Sequence, residues 1–167
     1  MVHKDLAIIQ STPWIQSHFP ITDIDSSNWL SSYGTITLIS KGLPIRSVFR
    51  TRYWSDMGRD GLYVDIRDKF TVIRLWNTHL ESLVAHPRFR PGQVELASQY
   101  LHGRFMDAGM IAGDFNAIEE FDRTLYVEHG VERCIFGEWR GGRPRGRLYL
   151  GNAEWRIGTE IWVFENG

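Results

Sequence analysis

Hydrophobic and polar positions change their spacing several times along the 167 residues. In residues 5–19, Leu6, Ile9, Trp14 and Phe19 fit one face of a helix, and Pro13 breaks the pattern. The polar stretch ITDIDSSNWLSSYG follows and reads as a loop. Four runs then have strand composition: residues 35–40 (TITLIS), 45–53, 62–66 and 71–80. Between them lie Gly42-Leu43-Pro44, residues 58–61 and residues 67–69, the turn chemistry of antiparallel neighbours. A helix is predicted next, with Pro91 near its first turn and Val94, Ala97, Leu101 and Phe105 on one face. Gly109 is expected to stop it. Met110-Ile111-Ala112-Gly113 then reads as a short buried strand that delivers Asp114 at its end. One βαβ-like passage inside an otherwise antiparallel series predicts a layered α/β sandwich.

Composition narrows the class. A hydrophobic content of 43% with 13% aromatic residues excludes a disordered acidic tail. The 19 Lys and Arg against 20 Asp and Glu give −1, which excludes a histone-like polycation. One cysteine excludes a disulfide framework and any multi-cysteine zinc site. No apolar run approaches the roughly 18 residues of a membrane helix. The N-terminal MVHKDLAIIQ is too short and too interrupted for a signal peptide. The expectation is a soluble intracellular chain, in nucleus or cytoplasm, with no membrane and no protein partner indicated.

Two strand ends present polar groups: NTHLES (residues 77–82) and GDFNA (residues 113–117). Each has a plain explanation alone. A strand-end histidine is most often a surface or hydrogen-bonded one, and Asp and Asn two apart usually make an Asx-turn. The pair of motifs says more. Residues i and i+2 of a strand point to one side, so Asp114 and Asn116 can hold one ligand together. A carboxylate and a carboxamide suit a Mg²⁺-activated water. His79, if adjacent, can hydrogen-bond a phosphate oxygen or exchange a proton. With neighbouring strands, the Asp114 carboxylate and His79 ring are expected within about 8 Å, a span that one phosphate and a water can bridge.

NTHLES followed by AGDFNA resembles the endonuclease/exonuclease/phosphatase superfamily, with its deoxyribonuclease-I-like fold. Within it, ITDIDSSNW, YGTITLIS, RPGQ and GDFNAIEEFDRT are most similar to the tyrosyl-DNA phosphodiesterase branch and its fungal relatives. The resemblance covers roughly residues 5–131. It implies a four-layered α/β sandwich with a mainly antiparallel central sheet and flanking helices. It also implies Mg²⁺-dependent hydrolysis of a phosphodiester, in nucleic acid or a similar substrate, by an activated water. By motif, Asp114 orients or activates that water, Asn116 holds it or the phosphate, and His79 stabilises developing negative charge. Asn77 and Ser82 are further phosphate or substrate contacts. Arg59, in the GRDG turn, is another, though a solvated turn arginine explains it equally well. Glu81 is expected to support its loop and not to bind metal.

The superfamily's full domain is longer. Its first strand supplies an Asn, a Gln-Glu-Val-like motif the principal Mg²⁺ ligand, and a final Ser-Asp-His a second histidine. None of these motifs is present in the 167 residues. The first and last strands are therefore expected to be missing, with no principal metal ligand retained and weak Mg²⁺ binding. After residue 131 the resemblance stops and residues 132–167 become rich in Gly, Arg and Trp, with 6 Arg against 5 Glu, or +1. Residues 146–153 (GRLYLGNA), read one base forward with permitted codons, give EGYTWGMQ, which is similar to the superfamily's continuation. The tail is accordingly expected to be an out-of-frame translation. Residues 135–167 should then be irregular or loosely attached, with Trp139, Trp155 and Trp162 more exposed than Trp29 or Trp76, although residues 159–164 (TEIWVF) have strand-like composition and can order by accident. Two rival readings remain: a non-catalytic remnant, and a phosphatase of the same superfamily acting on inositol or lipid phosphates.

Overall fold

The computed structural model describes residues 1–82, 89–116, 147–150, 153–156 and 160–165. Two short helices open the chain, α1 (His3–Ser11) and α2 (Pro13–His18). Asp5, in the first turn of α1, accepts a hydrogen bond from the otherwise orphaned Val2 N–H at 3.1 Å. Pro13 is the first residue of α2, where a missing N–H is harmless. It divides the predicted helix in two, so the expected common face does not form: Leu6 is buried, whereas Trp14 is 55% exposed.

Four strands follow: β1 (Ile45–Arg52), β2 (Asp60–Asp68), β3 (Thr71–His79) and, after helix α3 (Phe89–Leu101), β4 (Ala108–Asp114). β1, β2 and β3 are antiparallel neighbours, and Asp68 pairs with Thr71 across a tight turn in which Lys69 takes φ 52°. β3 and β4 run parallel, because the α3 crossover returns the chain to the same edge in the same direction. Alternation along the strands sorts the side chains. Tyr63 and Trp76 stack with centroids 5.8 Å apart, and Tyr53 meets Trp76 edge-on at 6.1 Å. These rings form the core with Val94, Ala97 and Leu101 of α3. The partners of that stripe on the opposite face include Leu62 and Val64, together with Arg50 and Asp60.

Two sequence expectations need correction. Residues 35–40 do not form a strand. They make one isolated bridge, Ile21 with Leu38, because their partner segment contains Pro20, which has no N–H to continue a ladder. Helix α3 ends at Leu101, not Gly109: its last bond runs from His102 N–H to the Ser98 carbonyl, and Gly103 follows. Phe105 therefore lies outside the helix and is 74% exposed. Part of the tail is regular, including the stretch that strand-like composition had marked. β5 (Arg147–Leu150) and β6 (Ala153–Arg156) form a hairpin, and β7 (Glu160–Glu165) pairs antiparallel with β4. The sheet order is thus β1-β2-β3-β4-β7. The cause is composition: EIWVFE has strand-forming residues, and β4 offers a ladder edge. The side chains of Trp139, Trp155 and Trp162 lie outside the described residues, whereas Trp29 and Trp76 are 8% and 2% exposed.

Candidate active site

The parallel register of β3 and β4 sets the site. Thr78 faces Gly113 and His79 faces Asp114, so both motifs end on the same rim. His79 Nε2 lies 3.6 Å from Asp114 Oδ2, well inside the 8 Å expected. Leu80 N–H continues the pairing by donating to the Asp114 carbonyl at 2.9 Å.

Asn116 reaches the rim by another route than strand alternation. The strand stops at Asp114, and Asn116 takes a left-handed φ of 48°, which asparagine tolerates better than most residues. Its backbone N–H donates to Asp114 Oδ1 at 3.0 Å, an Asx-turn, and its Nδ2 donates to the Leu80 carbonyl at 2.9 Å. Asn116 therefore fastens the two strand ends together and fixes the Asp114 carboxylate. Asn77 is likewise engaged, its Nδ2 donating to the Ile36 carbonyl at 2.7 Å and to Thr37 Oγ1 at 3.2 Å.

Arg59 is not a solvated turn arginine. It is 5% exposed, its guanidinium lies 4.9 Å from the Tyr33 ring centroid, and Nη2 donates to Ser82 Oγ at 2.7 Å. Its Nε and Nη1 are buried without a hydrogen-bond partner among the described residues. A buried cation with unsatisfied donors is expensive and attracts an anion. Glu81, fully buried, accepts from Ser55 Oγ at 2.5 Å and from Asp56 N–H at 3.2 Å, so it faces the loop. Tyr33 was not singled out from the sequence. Its ring lies 6.2 Å from that of His79 and its hydroxyl donates to the Met57 carbonyl at 3.2 Å. Only the YGTITLIS resemblance hinted at it.

Burial lowers the His79 pKa below its usual 6.5; the nearby Arg59 charge adds to this, while Asp114 and Glu81 oppose it. The ring is therefore neutral at pH 7, and its 3.6 Å approach to Asp114 is a polar contact without ion-pair character. Because the folded pKa is depressed, the unfolded chain takes up the proton first as pH falls. Stability should then drop as pH falls through about 6.5, levelling off below the folded value. Thermal unfolding between pH 7.5 and 5 should show a smaller loss for His79→Gln than for the wild type. Equal slopes, or an NMR titration midpoint at or above the ordinary histidine value, would refute this.

Among the described residues no group of three or more His, Cys, Asp or Glu side chains could hold a metal ion. Among the described residues the rim presents the Asp114 carboxylate and the side-chain oxygen of Asn116, whose Nδ2 is bonded to the Leu80 carbonyl. These residues do not by themselves fit the oxygen shell of Mg²⁺.

No family model and no curated protein matches the chain. Solved structures do. The structure of TDP2 from Caenorhabditis elegans superposes with a TM-score of 0.66 at 17% identity, covering 99% of this chain and 53% of that one. D. rerio TDP2 complexed with single strand DNA product gives 0.63 at 13% identity, covering 99% and 68%. A beta toxin from Staphylococcus aureus with bound magnesium ions gives 0.56 at 15% identity, covering 88% and 61%. The chain spans about half the length of the first of these. At such identities the likeness concerns architecture, and the architecture is the deoxyribonuclease-I-like α/β fold of the tyrosyl-DNA phosphodiesterase 2 structures.

Proposed function

We propose that this chain carries one corner of a phosphodiesterase site, built to hold a phosphoester of a nucleic-acid strand. The observation behind it is the His79–Asp114 cross-strand pair beside a buried arginine with two N–H groups unpartnered among the described residues. A phosphate oxygen satisfies such donors, and Arg59 with Ser82 supplies positive charge and a hydroxyl on one side. On the other side neutral His79 can share a proton with a phosphate oxygen, and Asp114, pinned by the Asn116 N–H, can orient a water. The neighbours' phosphodiester chemistry and the single-strand product in one of them favour this substrate class. When bound, Mg²⁺ would neutralise phosphate charge and activate water. The described residues do not supply its shell, so no step is assigned to it.

The purified chain should therefore bind a 5′-phosphorylated single strand yet turn over little 5′-phosphotyrosyl substrate with Mg²⁺. A missing charge-stabilising group alone typically removes about 10²–10³ in rate, and losses within one site are not additive. The assay compares the wild type with Asp114→Ala. Robust turnover abolished by that substitution would show a complete site and overturn the half-site reading. Selective binding of inositol phosphates or sphingomyelin over the nucleotide would move the assignment to the phosphatase and sphingomyelinase side of the fold.

A further inference from the structure

The loop between β1 and β2 carries Arg59, and its conformation is set from below by a buried carboxylate. Ser55 Oγ accepts two backbone N–H groups, from Met57 at 3.1 Å and from Arg59 at 2.9 Å. Its own proton then goes to Glu81 Oε2 at 2.5 Å, while Glu81 Oε1 accepts the Asp56 N–H. Three N–H groups of one short loop thus converge on a single Ser55–Glu81 unit. Glu81 is held in turn by α3: its N–H donates to Gln93 Oε1 at 2.9 Å, and Gln93 Nε2 donates to the Trp54 carbonyl at 3.0 Å. Arg90 Nη1 reaches the Glu81 carbonyl at 3.5 Å. Arg90, Gln93 and Glu81 are all essentially inaccessible, so this scaffold is no solvated accident. It contains the RPGQ segment and the Glu of NTHLES, which the phosphate contacts themselves leave unused.

We propose that Glu81, acting through the Ser55 hydroxyl, is a positioning residue that holds the Arg59 guanidinium beside the His79–Asp114 pair. The proposal rests on the phosphate-binding reading for its consequence, but not for its geometry. Glutamine at position 81 keeps the volume and removes the charge that fixes the direction of the Ser55 proton. The Ser55 oxygen can then turn, releasing the Met57 and Arg59 N–H groups, and Arg59 loses its fixed approach to Ser82. A residue that only supported folding would weaken everything alike. One that acts through Arg59 would be silent once Arg59 is gone.

The test is a double-mutant cycle read by titration with inorganic phosphate. Glu81→Gln and Ser55→Ala should each weaken phosphate binding about tenfold in the wild-type background. Neither should weaken it further in an Arg59→Met background. Ser55→Thr, which keeps the hydroxyl, should bind as the wild type does. Equal weakening in both backgrounds would overturn the proposal. A second measurement needs no ligand: the Arg59 Nε–H NMR signal of the free protein should shift and exchange faster with water in Glu81→Gln. An unmoved signal overturns the positioning role whatever the titration gives. Failure of the wild type to bind phosphate, with that signal still moved, sinks the phosphate reading and leaves the positioning role supported.

Discussion

Arg50→Leu should destabilise the protein by about 3–5 kcal/mol, the loss typical when one partner of a buried ionic cluster is removed. Arg50 lies between two carboxylates, donating to Asp23 at 2.9 Å and to Asp60 at 2.9 Å, and Nη2 also reaches the Thr35 carbonyl at 2.5 Å. The side chains of Arg50, Asp23 and Asp60 are 12%, 2% and 8% exposed. Removing the arginine leaves two negative charges facing each other away from water. Burial already raises the Asp60 pKa, with Arg50 opposing that rise and Asp23 adding to it. Without Arg50 the rise should grow, so the folded variant binds more protons than its unfolded chain between the ordinary aspartate value and the new one. Its stability should then fall as pH rises through that window, and the deficit against wild type should shrink on acidification. Urea unfolding at pH 7 and pH 5 measures both effects. A loss below about 1 kcal/mol, the size expected of an exposed pair, would show that the cluster is open to water. Asp60→Asn in the Arg50→Leu background should recover part of the loss.

Gly113→Ala should disrupt the candidate site more than its size suggests. Gly113 has φ 152°, a conformation side chains rarely adopt, and a Cβ there would lie 1.8 Å from the Thr78 carbonyl oxygen. That oxygen belongs to the strand partner of Gly113, one residue before the His79–Asp114 pair. Relief requires the strand ends to separate. Expected losses are about 1–3 kcal/mol for the backbone conformation and about 1–3 kcal/mol for the overlap. Phosphate binding should fall with them, because His79 and Asp114 part and the Leu80–Asp114 bond breaks. Thermal unfolding together with the phosphate titration gives the answer. An alanine variant with wild-type stability and binding would mean that the β3–β4 rim is not held as described.

Much of this fold was legible in the sequence. Strand composition between turn residues located β1, β2 and β3, and helical spacing placed Val94, Ala97 and Leu101 on the buried face of α3. The expected adjacency of His79 and Asp114 also holds in the β3–β4 register. These features depend on local spacing, or on a crossover long enough to make neighbouring strands parallel. What the tertiary structure alone decided has another origin. Whether TITLIS becomes a strand depended on Pro20 in its partner, and EIWVFE joined the sheet because β4 had an edge to offer. Arg59 looked as much like a surface turn residue as a phosphate contact, until Tyr33 and Ser82 closed over it from distant parts of the chain. The Arg50 cluster joins Asp23, Thr35 and Asp60, which no periodicity relates. Periodicity reports which side of a segment avoids water. It carries no record of which distant charge or carbonyl will meet that side, and that meeting fixes whether a polar group is a solvated side chain or part of a site.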